Sequence, residues 1–196
     1  MKLLITAFGP FQEFTKNPSE LVLKEWIKKG VVQQNRNFDI TIQIIPVSYR
    51  SVDEFQEIWK NNNFDLIIHL GVASNENKMR LELVAKNLKS GKDIDGVAPK
   101  SLPIIQGAQD AKTQIQFSIL SQLCAKYPSK IRISDDAGTY LCNYIYYKSM
   151  MNSKLETKVL FVHIADFINN PESVNLEDQT NILNDLLQLL DYRNLS

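Results

Sequence analysis

KLLITAFGPFQEFTKNPSELVLKEWIKKG, residues 2–30, holds the first strand and the first helix that the sequence predicts. The apolar run at residues 2–7 is typical of a short buried strand. Asn17 is the expected N-cap of a helix over residues 17–29, and Glu20 would complete a capping box with it. A buried strand followed by an amphipathic helix is the repeating unit of α/β proteins. This stretch therefore predicts that fold class.

The same alternation of strand and helix continues along the rest of the chain. Ser51 with Glu54 predicts a second capping box and a helix after it. Further strands are predicted at residues 39–47, 64–70, 131–133 and 158–164, and further helices over about 111–127, 140–151 and 175–191. Residues 78–89 are ambiguous, and the turn residues of 90–110 favour a hairpin. The pattern implies a largely parallel, twisted sheet with helices on both faces, and no linker divides residues 1–196 into more than a single domain.

The composition argues against several classes of protein. Hydrophobic residues make up 44% of the chain, and 22 basic side chains balance 22 acidic ones. This balance argues against a nucleic-acid binder, which carries a basic face, and no run of about 18 apolar residues predicts a membrane helix. Cys124 and Cys142, the only cysteines, are too few for a disulfide framework and favour a reducing compartment. The expected location is the cytoplasm.

Three residue types that carry chemistry lie where such a sheet places its active site, at the carboxyl ends of the strands. Cys142 follows a turn into a predicted helix, where the helix dipole and free N–H groups favour a thiolate. His163 comes near the end of the last predicted strand and could be a general base. His69 occupies a similar place in an earlier strand and is its competitor. Glu82 lies in an apolar segment, so it needs a partner if it is buried.

A purely structural interpretation of each residue stays open from the pattern alone. Cys142 could be a small packing residue, since free cysteines are often buried, and His163 could be a histidine without a role. Glu82 could be exposed and paired with Arg80. Together, however, a cysteine, a histidine and a carboxylate could act as nucleophile, base and orienting group. The sequence contains no zinc-ligand spacing, Walker A loop, GxGxxG or GxSxG motif.

Five segments, in order along the chain, resemble the segments of one family of cysteine peptidases. They are TAFGPFQEFTKNPS (6–19), IPVSYRSV (45–52), HLGVASNENKMRLELVAKN (69–87), SDDAGTYLCNYIYYKSM (134–150) and FVHI (161–164). The family is pyroglutamyl-peptidase I, also called pyrrolidone-carboxylate peptidase, and the segment around Cys142 is the most specific match. The YLC and YY of that segment look closer to the animal-type branch than to the bacterial one.

The resemblance implies an α/β fold with a twisted sheet between helices and the removal of N-terminal pyroglutamate from peptides. Matched position by position, Cys142 falls on the family's nucleophile, His163 on its base and Glu82 on its acidic member. The implied partners are peptides with an N-terminal pyroglutamate, not nucleic acids or membranes. No metal or organic cofactor is implied, and the oligomeric state stays open.

The substrate-binding positions are matched less completely than the triad. Phe8 and Phe11 fall on the aromatic pair that flanks the pyroglutamyl ring in the family. Lys92 falls near the position of an arginine beside the oxyanion in bacterial members. This chain also has Gln12 where many members have glycine, and Ala165 follows the histidine segment where many members have proline.

These departures keep two other functions open. The first is a catalytically impaired homologue that keeps the fold and uses the pocket only to hold a ligand. The second is another hydrolase or a transferase on a similar α/β scaffold, such as a nucleoside phosphorylase-like enzyme. A transferase of that kind would need a basic cradle for phosphate, and the sequence shows none.

Overall fold

The computed structural model of the chain describes residues 1–11, 15–30, 37–74 and 76–191, and within them it forms eight strands and five helices. The strands are β1 (Lys2–Phe8), β2 (Asp39–Ile45), β3 (Leu66–Ala73), β4 (Met79–Glu82), β5 (Val84–Ala85), β6 (Ala111–Lys112), β7 (Ile131–Ser134) and β8 (Lys158–Ala165). The helices are α1 (Pro18–Lys28), α2 (Tyr49–Asn61), α3 (Phe117–Lys126), α4 (Leu141–Asn152) and α5 (Leu176–Leu189). Gln12, one of the departures from the family pattern, lies outside the described residues.

Six of the described strands form one sheet in the order β2-β1-β3-β8-β4-β7, and β5 pairs with β6 in a separate ladder. β2, β1, β3 and β8 run parallel, which confirms the predicted α/β class. β4 runs antiparallel to β8 and parallel to β7. This reversal was not predicted. Residues 74–78 are too few for the crossover that a parallel connection needs, so β4 must return in the opposite direction.

Alternate side chains of the strands face two separate hydrophobic cores. One core lies between the sheet and the helices α1, α3 and α5, and the other lies between the sheet and α2 and α4. On β8, Val162 and Ile164 belong to the first core, whereas Phe161 belongs to the second. Since alternate residues of a strand share a face, His163 points to the side that α4 covers. None of the described helices is long and apolar enough to cross a membrane.

The two predicted capping boxes are replaced by single caps. Asn17 caps α1 by accepting a backbone N–H of its first turn, but Glu20 forms an ion pair with a lysine one turn further on. α2 begins before Ser51, and its N-cap is Ser48. Glu54 pairs with an arginine of the same helix. Oppositely charged neighbours four residues away thus engage both glutamates on the helix surface.

The region between β5 and α3 differs from the prediction. The helix predicted over residues 111–127 begins later, because its first residues form β6 and pair antiparallel with β5. Residues 86–110 join β5 to its antiparallel partner β6, and within them a single antiparallel bridge joins Lys89 to Leu102. The predicted hairpin is reduced to this bridge.

Candidate active site

The antiparallel pairing of β4 with β8 brings Glu82 next to His163. In this ladder Arg80 lies directly opposite His163, and Glu82 lies opposite Phe161. Cross-strand neighbours and alternate residues share one face of a sheet. The side chains of Arg80, Glu82 and His163 therefore meet on the face that α4 covers.

The contact between His163 and Glu82 is short and buried. His163 Nδ1 lies 2.6 Å from Glu82 Oε1, and the two side chains are 4% and 0% exposed. Because an ionised carboxylate only accepts hydrogen bonds, Nδ1 carries the proton and Nε2 of the neutral ring is left as an acceptor. Arg80 Nε lies 3.0 Å from the same Oε1. The interpretation of Glu82 as an exposed residue is therefore wrong, although its pairing with Arg80 is present.

Cys142 is the second residue of α4, and its Sγ lies over the backbone of β3. A Cβ atom built on Gly71 would stand 2.7 Å from this Sγ and 2.6 Å from the ring of Phe161. Gly71 pairs in register with His163 on the neighbouring strand. The thiol therefore occupies the same face of the sheet as the imidazole, one strand away. Glycine is required at position 71 because any side chain would fill the space of the thiol.

The turn before α4 is fixed by its own polar contacts. Gly138 has a φ of 80°, a left-handed conformation that glycine adopts without strain. Its N–H donates to Asp136 Oδ1 at 2.9 Å, and Lys86 Nζ lies 2.8 Å from the same oxygen. These contacts hold the start of the helix that carries Cys142.

Burial keeps both Cys142 and His163 in their neutral forms. It raises the pKa of the Cys142 thiol to about 12, and the charge of Glu82 acts in the same direction. Arg80 and a backbone hydrogen bond oppose this shift only in part. Burial also lowers the pKa of His163, against the hydrogen bond and charge of Glu82. The predicted stabilisation of a resting thiolate by the helix terminus is therefore wrong, because desolvation outweighs it.

A cavity of about 210 Å³ opens beside Cys142 at the carboxyl ends of β1, β2 and β3. Its polar lining comes from Asn17, Ser74 and Tyr140. The other walls are apolar and consist of Phe8, Phe11, Val47, Val72, Leu141 and the Cys142 side chain. Both predicted aromatic residues thus line the cavity, although Phe8 is also a buried member of the second core.

Lys92 does not line this cavity, and its side chain is exposed. Its backbone oxygen accepts a hydrogen bond of 2.8 Å from the Tyr140 hydroxyl at the pocket wall. The cation that the fold places beside the imidazole is Arg80, which sequence reasoning treated only as a surface partner of Glu82. The signal was the spacing of Arg80 and Glu82, because residues two apart on a strand share a face.

His69, the competing histidine, is fully buried away from Glu82. One ring nitrogen lies 2.7 Å from the Thr6 hydroxyl and the other lies 2.9 Å from the Ser149 hydroxyl. Burial lowers the pKa of His69 to about 3, so the ring stays neutral. With both nitrogens engaged, His69 ties β1, β3 and α4 together.

Asp136 after β7 and Asp166 after β8 are engaged in protein contacts. Asp166 accepts the backbone N–H groups of Ile168 and Asn169, and Asp136 binds Lys86. Within the described ranges, no group of three or more His, Cys, Asp and Glu side chains is placed to hold a metal ion.

Sequence comparison gives the same family that the five segments resemble. The family model described as pyroglutamyl peptidase matches residues 1–180. A pyrrolidone-carboxylate peptidase of Halalkalibacterium halodurans is 31% identical over 180 residues, which cover 90% of this chain and 87% of that protein. Pyroglutamyl-peptidase 1 of Homo sapiens is 28% identical over 170 residues, which cover 83% of this chain and 78% of that protein. The identity to the human protein is no higher than that to the bacterial one, so these values do not support the predicted likeness to the animal-type branch.

Structural comparison agrees with the sequence. The crystal structure of the pyrrolidone carboxyl peptidase of Fervidobacterium islandicum superposes with a TM-score of 0.84 at 29% identity. The superposition covers 98% of this chain and 99% of that one. The two chains therefore share one fold over nearly their whole length. The chain therefore belongs to the pyroglutamyl peptidase family, as its five sequence segments indicated.

Proposed function

We propose that this chain is a cysteine exopeptidase that hydrolyses the bond after an N-terminal pyroglutamate. The observation that carries the proposal is the position of the Cys142 thiol. It lies at the wall of a small apolar cavity and on the same sheet face as the buried His163–Glu82 pair. The names of the relatives, which are pyroglutamyl and pyrrolidone-carboxylate peptidases, support the same reaction.

In the proposed reaction, His163 acts as the base and then as the acid. Nε2 takes the thiol proton while Cys142 Sγ attacks the pyroglutamyl carbonyl carbon, and the imidazolium returns that proton to the leaving amine. A water molecule, activated by the same Nε2, then hydrolyses the thioester and restores the thiol. Glu82 accepts the Nδ1–H throughout and stabilises the charged ring. A neutral Cys142 thiol and a neutral His163 ring suit this sequence of steps, because the thiolate forms only as its proton moves to Nε2.

Groups at the rim of the cavity would stabilise the tetrahedral intermediate. The first N–H groups of α4 have no partner within the helix, so they can donate to the oxyanion that develops beside Cys142. Lys92 is proposed as a further cation on the substrate side, because its loop is joined to the cavity wall through Tyr140.

The cavity suits a pyroglutamyl ring by size and by polarity. Drug-sized ligands occupy pockets of roughly 300–1,000 Å³, so a cavity of about 210 Å³ is suited to a single small ring. The lactam is flat and uncharged, which matches walls formed by Phe8 and Phe11. Asn17 fixes the turn that carries both rings, because its Nδ2 donates to the Gly9 oxygen at 2.9 Å.

The proposed setting is the cytosol. Cys124 and Cys142 are both free thiols in the structure. A reducing compartment preserves a free thiol nucleophile, whereas disulfides accumulate in secreted proteins. The proposed partners are accordingly peptides that carry an N-terminal pyroglutamate.

A panel of three fluorogenic amides tests the proposed function. We expect a kcat/KM for the pyroglutamyl amide that exceeds that for the prolyl amide by about 10⁴–10⁵, because proline lacks the lactam carbonyl and leaves the polar partners of that group unpaired. A pocket that recognises ring shape alone would discriminate only about 10–200-fold. The glutamyl amide should also be refused, since its charges would enter an apolar cavity. Comparable turnover of the prolyl amide would leave a general cysteine aminopeptidase, and binding without turnover would leave the impaired homologue.

Phe11→Ala should raise KM for the pyroglutamyl amide by about tenfold to a hundredfold, with a smaller change in kcat. The aromatic ring supplies much of the contact area available to so small a ligand, and losing it costs about 1.4–3 kcal/mol. Phe55→Ala is the matched control, because Phe55 is also half-buried against the second core but does not line the cavity. An unchanged KM in Phe11→Ala would remove this residue from the substrate site.

A further inference from the structure

A third side chain, the charged Arg80, lies at the contact between His163 and Glu82. Its Nε lies 3.0 Å from Glu82 Oε1, and its Nη2 lies 3.2 Å from His163 Nδ1. Nδ1 itself lies 2.6 Å from the same oxygen. The second carboxylate oxygen, Oε2, is buried without a hydrogen-bond partner in the described part of the chain. Arg80 Nε is also without a hydrogen-bond partner there, and Nη2 cannot donate to an Nδ1 that carries the proton, so Arg80 acts on Oε1 through its permanent positive charge.

Arg80 belongs to a row of alternating charges. Its Nη1 lies 3.3 Å from Glu76 Oε1, and Arg132 Nη2 lies 2.6 Å from that same oxygen. Arg132 pairs in register with Arg80 on the neighbouring strand, but its side chain is 44% exposed against 17% for Arg80. Because the two arginines share Glu76 Oε1, Glu76 offsets only part of the Arg80 charge, and the rest acts on the Glu82–His163 pair.

We propose that Arg80 is a positioning residue of this site, whose guanidinium holds Glu82 ionised beside a neutral His163 and keeps that state in mildly acidic conditions. The inference rests on the proposed function, because it concerns the same pair of side chains. An ionised Glu82 orients the ring with its proton on Nδ1 and its lone pair on Nε2. Nε2 must be free to accept the thiol proton, so the reaction stops when the pair takes up a further proton.

The sign of the effect follows from the coupling of the two groups. Glu82 and His163 share one short contact, so the next proton binds to the pair rather than to either residue alone. A nearby positive charge opposes that proton whichever atom receives it. Burial and the charge of Arg80 lower the pKa of His163, whereas the charges of Glu82 and Glu76 raise it. Other titratable or charged groups that face Arg80 or His163 are Cys142 on α4, Asp136 before α4 and Arg132 on β7.

An NMR titration of His163 in the full chain tests the proposal directly. The chain has two histidines, and burial lowers the pKa of His69 to about 3, so a histidine signal that titrates at higher pH than this is that of His163. The parent is Cys142→Ala, which removes the neighbouring thiol. We expect Arg80→Met in this parent to raise the His163 midpoint by about one pH unit, the lower end of the effect of a close charge. An unchanged or lower midpoint overturns the proposal.

Three further variants separate charge from structure. Arg80→Lys keeps the charge and should keep the midpoint close to that of the parent. Glu76→Gln removes a negative charge and should lower the midpoint, the opposite sign to Arg80→Met. Arg132→Met, a matched change on the neighbouring strand, should move the midpoint far less. If Arg80→Met fails to fold, Arg80→Gln takes its place in the titration, and a midpoint that does not rise in that variant overturns the proposal.

Enzyme activity gives the second readout and separates this inference from the proposed function. With Cys142 in place, the acid limb of kcat/KM for the pyroglutamyl amide should move up by about one pH unit in Arg80→Met. Activity one unit below the original limb should then fall about tenfold, with little change on the plateau. An active Arg80→Met with an unmoved limb overturns the role of Arg80. An unsubstituted chain that does not hydrolyse the amide contradicts the proposed function, whereas the NMR titration still decides the role of Arg80.

Discussion

Cys142→Ala is expected to abolish hydrolysis of a pyroglutamyl amide, a loss of at least about 10⁴-fold in kcat. The change removes one sulfur atom that lies over Gly71 in a half-buried position, so the packing of α4 is kept. Without the thiol there is no acyl-enzyme, and the neutral His163, oriented by Glu82, has no nucleophile to activate. The measurement is kcat on the fluorogenic amide, together with circular dichroism and the melting temperature.

The matched control for this prediction is Cys124→Ala. Cys124 is also half-buried and free, but it lies on α3 and packs against the first core, on the opposite side of the sheet. Burial raises its pKa as well, so the two thiols differ in their neighbours rather than in their chemistry. Cys124→Ala should keep most of the activity. Equal loss in both variants would indicate a general effect on folding and would contradict the assignment of Cys142 as nucleophile.

His163→Ala is expected to lower kcat by about 10²–10⁴, the usual contribution of a positioned general acid and base. The loss arises because the other histidine of the chain, His69, is engaged by Thr6 and Ser149 and cannot take the thiol proton in its place. KM should change much less, since the imidazole does not line the cavity that holds the ring. Steady-state kinetics at a fixed pH near neutrality measure the two constants separately.

His69→Ala is the control for the second prediction. Its ring joins Thr6 to Ser149 inside the second core, so the substitution should lower the melting temperature. Per folded molecule, however, kcat should stay close to that of the unmodified chain. A His69 variant that loses catalysis, beside a His163 variant that keeps it, would require a different base.

Family membership and the set of reactive residues were accessible from the sequence. The five ordered segments resemble one family, and the family model matches residues 1–180. Cys142, His163 and Glu82 were each singled out by local pattern, and the fold does bring them to one face of the sheet. Their roles came from the resemblance and stay predictions until the variants are measured. Lys92 also stays a prediction, since its side chain is exposed outside the cavity.

The sequence by itself determined where most of the strands and helices lie, with the exception of β4, β5 and β6. Residues 2–7 became β1, 158–164 became β8 and 140–151 became α4, each within one residue at either end. The reason is local, because a buried parallel strand is a continuous apolar run and a helix shows the 3.6-residue period. Local sequence signals of the same kind also indicate that Cys142 lies at the start of a helix.

Only the tertiary structure decided how these elements combine into a site. The reversed direction of β4 sets the register that puts Arg80 and Glu82 beside His163, a partner 81 residues from Glu82. The same packing separates His163 from His69 and raises the thiol pKa that the helix terminus was predicted to lower. Strand register and desolvation depend on segments far apart in the chain, and no local pattern of residues records them.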